Sequence, residues 1–82
     1  MQSAVEISMY PLAEEYRPLI QAFIDRLNTY PDVRVLTNTL STQIFGPLDR
    51  VMSMLTAEIE RSAAAAPQLV FVMKVLPKLP AS

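Results

Sequence analysis

The run Thr39-Leu40-Ser41-Thr42-Gln43-Ile44-Phe45-Gly46 carries hydroxyls and a carboxamide where a strand that only built a core would carry Val or Ile. A polar group buried without a hydrogen-bond partner costs roughly 1 to 3 kcal/mol. In so short a chain, such a strand reads as a surface that hydrogen-bonds a ligand. The competing reading is an edge or solvent-facing strand, because Thr suits β geometry on its own. Ser and Thr hydroxyls each donate once and accept twice, and the Gln side chain presents a donor and an acceptor together. That is the chemistry of recognition, not of bond making.

The rest of the sequence points the same way. Zero His and zero Cys remove imidazole bases, thiolate nucleophiles and thiolate zinc sites, so no enzyme and no metal centre is expected. A single Gly excludes a glycine-rich phosphate cradle or a dinucleotide fingerprint. Glu6 and Ser8 fall on one strand, where a carboxylate is uncommon unless paired. Glu6 is either the counter-charge for a cationic ligand or the partner of Arg34 or Lys74. Glu14-Glu15 and Glu58 with Glu60 read as solvated charges at helix ends, and the five Met residues as packing.

These side chains need a scaffold, and 82 residues with 51% hydrophobic and 18% charged content allow one globular domain with a small core. A net charge of −1 with mixed signs gives no basic footprint for nucleic acid and no polybasic helix for a membrane surface. No apolar run reaches the ~18 residues of a membrane span. The first residues lack a charged segment followed by an apolar one, so a cytoplasmic location is expected.

Alternation over 4–10 predicts a strand with Val5, Ile7 and Met9 inward and Glu6, Ser8 and Tyr10 outward, stopped by Pro11. Helical spacing of Tyr16, Leu19, Ile20, Phe23, Ile24 and Leu27 predicts a helix over about 14–29, with Pro18 in its first turn. Tyr30-Pro31-Asp32 breaks the chain before a strand with Val33, Val35 and Thr37 on one face, and Asn38-Thr39-Leu40 is the expected reversal, since Asn tolerates left-handed geometry. In the third strand one parity groups Ser41, Gln43 and Phe45 and the other Thr42 and Ile44, and the sequence leaves open which faces the core. Pro47 suits the first turn of a helix with Leu48, Val51, Met52, Leu55 and Ile59 on one face, ending near Arg61 or Ser62 before a short linker. A last strand, Leu69 to Val75, is apolar on both faces and reads as covered on both. Strand, helix, strand, strand, helix, strand is the ferredoxin-like α+β order, with core 4–76, strands one and three central and both helices on one face of an antiparallel sheet. The other face, with Val70 and Val72, would be closed by a second copy packed sheet to sheet, giving a dimer or tetramer.

Ser8-Met9-Tyr10-Pro11-Leu12 together with the Ser-Thr-Gln-Ile-Phe-Gly run resembles the YkoF-related proteins that bind thiamine and its hydroxymethylpyrimidine moiety, over roughly residues 4–76. The resemblance implies a ferredoxin-like fold, non-enzymatic binding of a thiamine-type ligand without a further cofactor, and a role in bacterial thiamine salvage or uptake. It assigns Ser8, Thr39, Ser41, Thr42 and Gln43 to hydrogen bonding and Tyr10 and Phe45 to stacking. Glu6 suits the thiazolium charge. Family members of the best-known kind carry two modules in tandem, and a homodimer of this single module would rebuild the pair. An oligomeric interaction or regulatory module without such a ligand is the alternative, because the fold does not decide function. A barrel-type monooxygenase or isomerase has the same element order but calls for acid/base groups that this chain lacks.

Overall fold

The computed structural model describes residues 1–66 and 68–80. Its elements are β1 (Gln2–Pro11), α1 (Tyr16–Leu27), β2 (Arg34–Thr37), β3 (Thr42–Pro47), α2 (Leu48–Ala65) and β4 (Leu69–Leu76). The strands form one antiparallel sheet in the order β2-β3-β1-β4. This is the expected ferredoxin-like βαββαβ arrangement. Helix α1 packs on β1, and α2 on β1 and β3.

Register settles the parity of β3. Val5 stands opposite Ile44 and Ile7 opposite Thr42, so the inward side chains of β1 draw Thr42, Ile44 and Gly46 under the helices, where all three are buried. Gln43 and Phe45 therefore share the open face with Ala4, Glu6 and Ser8. The core joins Val5, Ile7 and Ile44 to Phe23 and Leu27 of α1 and to Val51, Met54 and Leu55 of α2. Gly46 lies where that closure is tight. A Cβ built there would lie 3.0 Å from Val33 Cγ1 and 3.3 Å from Val51 Cγ2. Gly46→Ala should lower stability by about 1 to 3 kcal/mol through overpacking, measured as a reduced denaturation midpoint; an unchanged midpoint would mean that the Val33 and Val51 side chains give way to the added methyl.

Four sequence expectations are corrected. Asn38 does not reverse the chain through left-handed geometry, for no non-glycine among the described residues has positive φ. Its Oδ1 instead accepts from the amides of Leu40 and Ser41, each at 2.9 Å, an Asx turn that orders the hairpin. Helix α2 runs through Ala65 rather than giving way to a linker at 63–66, since Ala favours helix and the Ala66 amide still reaches Ser62 O at 3.1 Å. Ala66 then turns extended, as the residue before a proline prefers; Pro67 itself lies outside the described residues.

Glu58 is not solvated. It recurs with Val51, Leu55 and Ser62 on the face of α2 that meets α1 and is fully buried. Its oxygens accept from Arg26 Nε at 2.6 Å, the Tyr30 hydroxyl at 2.6 Å and Arg61 Nη1 at 3.0 Å. Burial alone would push the carboxyl pKa up, but the Tyr30 and Arg26 hydrogen bonds, with Arg61, outweigh it and hold it below its ordinary value. Tyr30 is raised in turn, chiefly by its bond to Glu58.

Strand β4 is not covered on both faces: its open face is bare, and its helix side is covered only at one end. Phe71 packs on Phe23 with ring centroids 5.1 Å apart. Beyond it the helices sit over β1 and β3 and leave Met73 and Val75 bare.

Candidate ligand-binding site

Three segments converge at one end of the sheet: the C-terminal end of β1, α1 from Tyr16 to Ile24, and the β2–β3 hairpin. Pro11 can end β1 within the sheet because its nitrogen points to the β3 side, beyond the last β1–β3 pair. The chain then continues with Leu12 N donating to Gln68 O at 2.9 Å, which holds the approach to α1. Between these segments lies a cavity of about 520 Å³. Its apolar wall is Ile7 and Met9 of β1 with Ile20, Phe23 and Ile24 of α1. Its polar wall is Ser8, Thr37, Asn38, Thr39, Ser41 and Thr42, and Tyr10, Pro11, Leu12, Tyr16 and Leu40 complete the lining. None of these residues carries a charge.

The polar wall is partly committed. Thr37 Oγ1 and Thr42 Oγ1 lie 3.2 Å apart, and Ser8 Oγ donates to Leu40 O at 3.2 Å. Thr39 Oγ1, Ser41 Oγ and Asn38 Nδ2 have no hydrogen-bond partner among the described residues and are free to meet a ligand. A cleft of this size, mostly apolar with a few convergent polar groups, is the usual form of a small-molecule site.

The eight residues read from the sequence divide. Ser8, Tyr10, Thr39, Ser41 and Thr42 come together around the cavity. Gln43, Phe45 and Glu6 line a shallower depression of about 340 Å³ on the open sheet face, with Lys74 and Leu79, and Glu6 also borders a hollow on the outer side of the hairpin with Asn38, Thr39, Leu40 and Ser41. There Glu6 Oε1 lies 3.8 Å from Lys74 Nζ, which is the salt-bridge reading of that carboxylate. The Arg34 guanidinium stands 4.9 Å from the centre of the Phe45 ring and occupies a face on which a ligand would stack. Sequence reasoning missed the other cavity residues, among them Thr37, Asn38 and the α1 wall. Ile20 and Ile24 carry the spacing of core residues, and only the hairpin's position shows that they face a hollow.

No protein-family model matches the sequence, and no curated protein matches it either. Solved structures do match its fold. A Thermotoga maritima protein described as a "putative thiamine biosynthesis/salvage protein" superposes with a TM-score of 0.85 at 16% identity, covering 95% of this chain and 85% of that one. A Streptococcus pneumoniae protein gives a TM-score of 0.85 at 21% identity, over 92% of this chain and 84% of that one. A hypothetical protein of Methanocaldococcus jannascii gives 0.84 at 19% identity, over 99% and 84%. These likenesses establish the ferredoxin-like fold. No helix among the described residues is long and apolar enough to cross a membrane.

Proposed function

We propose that this chain is a non-enzymatic, cytoplasmic binding protein for thiamine or its hydroxymethylpyrimidine moiety, acting in bacterial thiamine salvage or uptake, and that the pyrimidine is the part that enters the cavity. The observation that carries this reading is the uncharged lining. An aminopyrimidine is flat and neutral, with ring nitrogens that accept and an amine that donates, and it matches free hydroxyls and an amide set against apolar walls. The name of the Thermotoga maritima neighbour supports the same ligand class. The thiazolium cation finds no carboxylate in the cavity, because Glu6 stands on the open face beside Lys74. A diphosphate finds no cation there.

Titration calorimetry with hydroxymethylpyrimidine, thiamine and thiamine diphosphate tests this reading. The pyrimidine should bind at least as tightly as thiamine, and both more tightly than the diphosphate by tenfold or more, about 1.4 kcal/mol. A preference for the diphosphate would overturn it.

The exposed side chains of Tyr10, Leu36, Val70 and Val72 on the open face support a homo-oligomer, dimer or tetramer, in which a second copy covers that face. They also favour the second reading, an interaction or regulatory module that needs no ligand. Failure of every thiamine-related compound to raise the melting temperature would select it, since a ligand that binds only the native state stabilises by mass action.

A further inference from the structure

The two edges of the sheet differ. At one edge β2 is short, spans only Arg34–Thr37, and carries a charge. At the other, β4 runs eight residues, Leu69–Leu76, with Lys74 as its single charge. Natural edges are blunted by shortness, charge, Pro or bulges. The β4 segment has no Pro, and its register with β1 runs unbroken from Leu76 opposite Ala4 to Leu69 opposite Pro11.

Hydrogen-bond parity shows which backbone groups this edge offers. Leu12 and Gln68 continue that register, and Leu12 N donates to Gln68 O. Bonded pairs in an antiparallel ladder alternate, so Val70, Val72, Lys74 and Leu76 bond to β1. The amides and carbonyls of Phe71, Met73 and Val75 point away from the sheet. The side chains are open on both sides as well: Val72 is 53% exposed on the open face, and Met73 and Val75 are 38% and 42% exposed on the helix side. A layer on the open face would cover the first and leave the other two bare. A strand laid alongside β4 flanks all three.

We propose that β4 pairs antiparallel with β4 of a second copy of this chain, about a two-fold axis perpendicular to the sheet, joining two four-stranded sheets into one of eight strands. The segment is self-complementary. Every residue from Leu69 to Leu76 except Lys74 is apolar, so the two-fold sets apolar beside apolar on both faces. Centred on Val72, the pairing puts Lys74 opposite Val70 and keeps the two ammonium groups apart. A net charge of −1 per chain offers little repulsion. The isolated chain, at 9.2 kDa, exposes 5415 Å², whereas a compact monomer of that mass exposes about 4,900 Å². This interface goes beyond the ligand reading and shares no β4 residue with the cavity, so either can fail alone.

Residue-resolved amide exchange on the purified protein tests it. At high protein concentration the amides of Phe71, Met73 and Val75 should be protected roughly a hundredfold or more, along with those of Val72 and Lys74, and should lose protection on dilution. Met73→Pro removes an outward N–H without touching a β1 bond, and Met73→Lys adds a charge at the edge. Either should halve the mass seen by sedimentation while the Val72 and Lys74 amides stay protected. Free exchange at Phe71, Met73 and Val75 in the concentrated wild-type protein, with Val72 and Lys74 protected, would overturn the proposal. So would protection that appears only when a foreign strand peptide is added.

Discussion

Replacing Glu58 with alanine should lower folding stability by about 3 kcal/mol. Removing one partner of a buried ion pair costs about 3 to 5 kcal/mol when the remaining charge is stranded. The lower end applies here because Arg26 and Arg61 keep 29% and 65% of their side-chain surface in water. What is lost is the junction between the helices: Arg26 also donates to Ser62 Oγ at 2.7 Å, and Tyr30 reaches Glu58 from beyond the end of α1. Glu58→Gln keeps the shape and some hydrogen bonds, so its cost should be smaller and its signature should lie in pH. The folded-state pKa of Glu58 is depressed, so its contribution is complete above the ordinary Glu range and disappears as pH falls through that range toward the folded value. Tyr30 has the opposite sign. Its folded pKa is raised, and stability should fall as pH climbs past the ordinary tyrosine range. Denaturation midpoints measured across pH should therefore drop more steeply on the acid side in the wild type than in Glu58→Gln. Parallel curves would mean that the carboxylate contributes no linkage.

Placing a cation in the cavity should weaken binding of the pyrimidine. Ile20 is half-buried on α1 and forms part of the apolar wall. Ile20→Arg keeps helix propensity, fills part of the hollow, and sets a charge where the lining has none. Affinity should fall at least tenfold, about 1.4 kcal/mol or more, while the melting temperature without ligand changes little. Gln43→Ala supplies the contrast. Gln43 lies on the open face outside the cavity, and its loss should leave affinity unchanged. Equal loss in both variants would place the ligand on the sheet face.

How much of this was legible depends on what each pattern encodes. The faces of β1 followed from alternation, because Glu6 separates Val5 from Ile7 and Ser8 separates Ile7 from Met9. The faces of β3 did not, since Ile44 and Phe45 are adjacent and equally apolar, and pairing with β1 decides between them. Glu58 escaped because a search for apolar periodicity passes over a carboxylate on the inner face, although Arg26 and Tyr30 were available to satisfy it. The two apolar faces of β4 suggested cover on both sides, but the same pattern arises in an edge strand that lacks a partner. Five of the eight site residues gather because the hairpin and the end of β1 are neighbours. Gln43 and Phe45 separate from them, and Glu6 meets only Thr39 and Ser41 from outside the cavity, because strand spacing cannot tell the end of a sheet from its open face.

Titrating hydroxymethylpyrimidine into isotope-labelled protein and following backbone amide shifts tests the central claim most directly. The largest changes should fall at Ser8 to Tyr10, at Thr37 to Thr42, and along α1 from Tyr16 to Ile24. Changes centred on Glu6, Gln43, Phe45 and Lys74 instead, or none at a large excess of the compound, would contradict it.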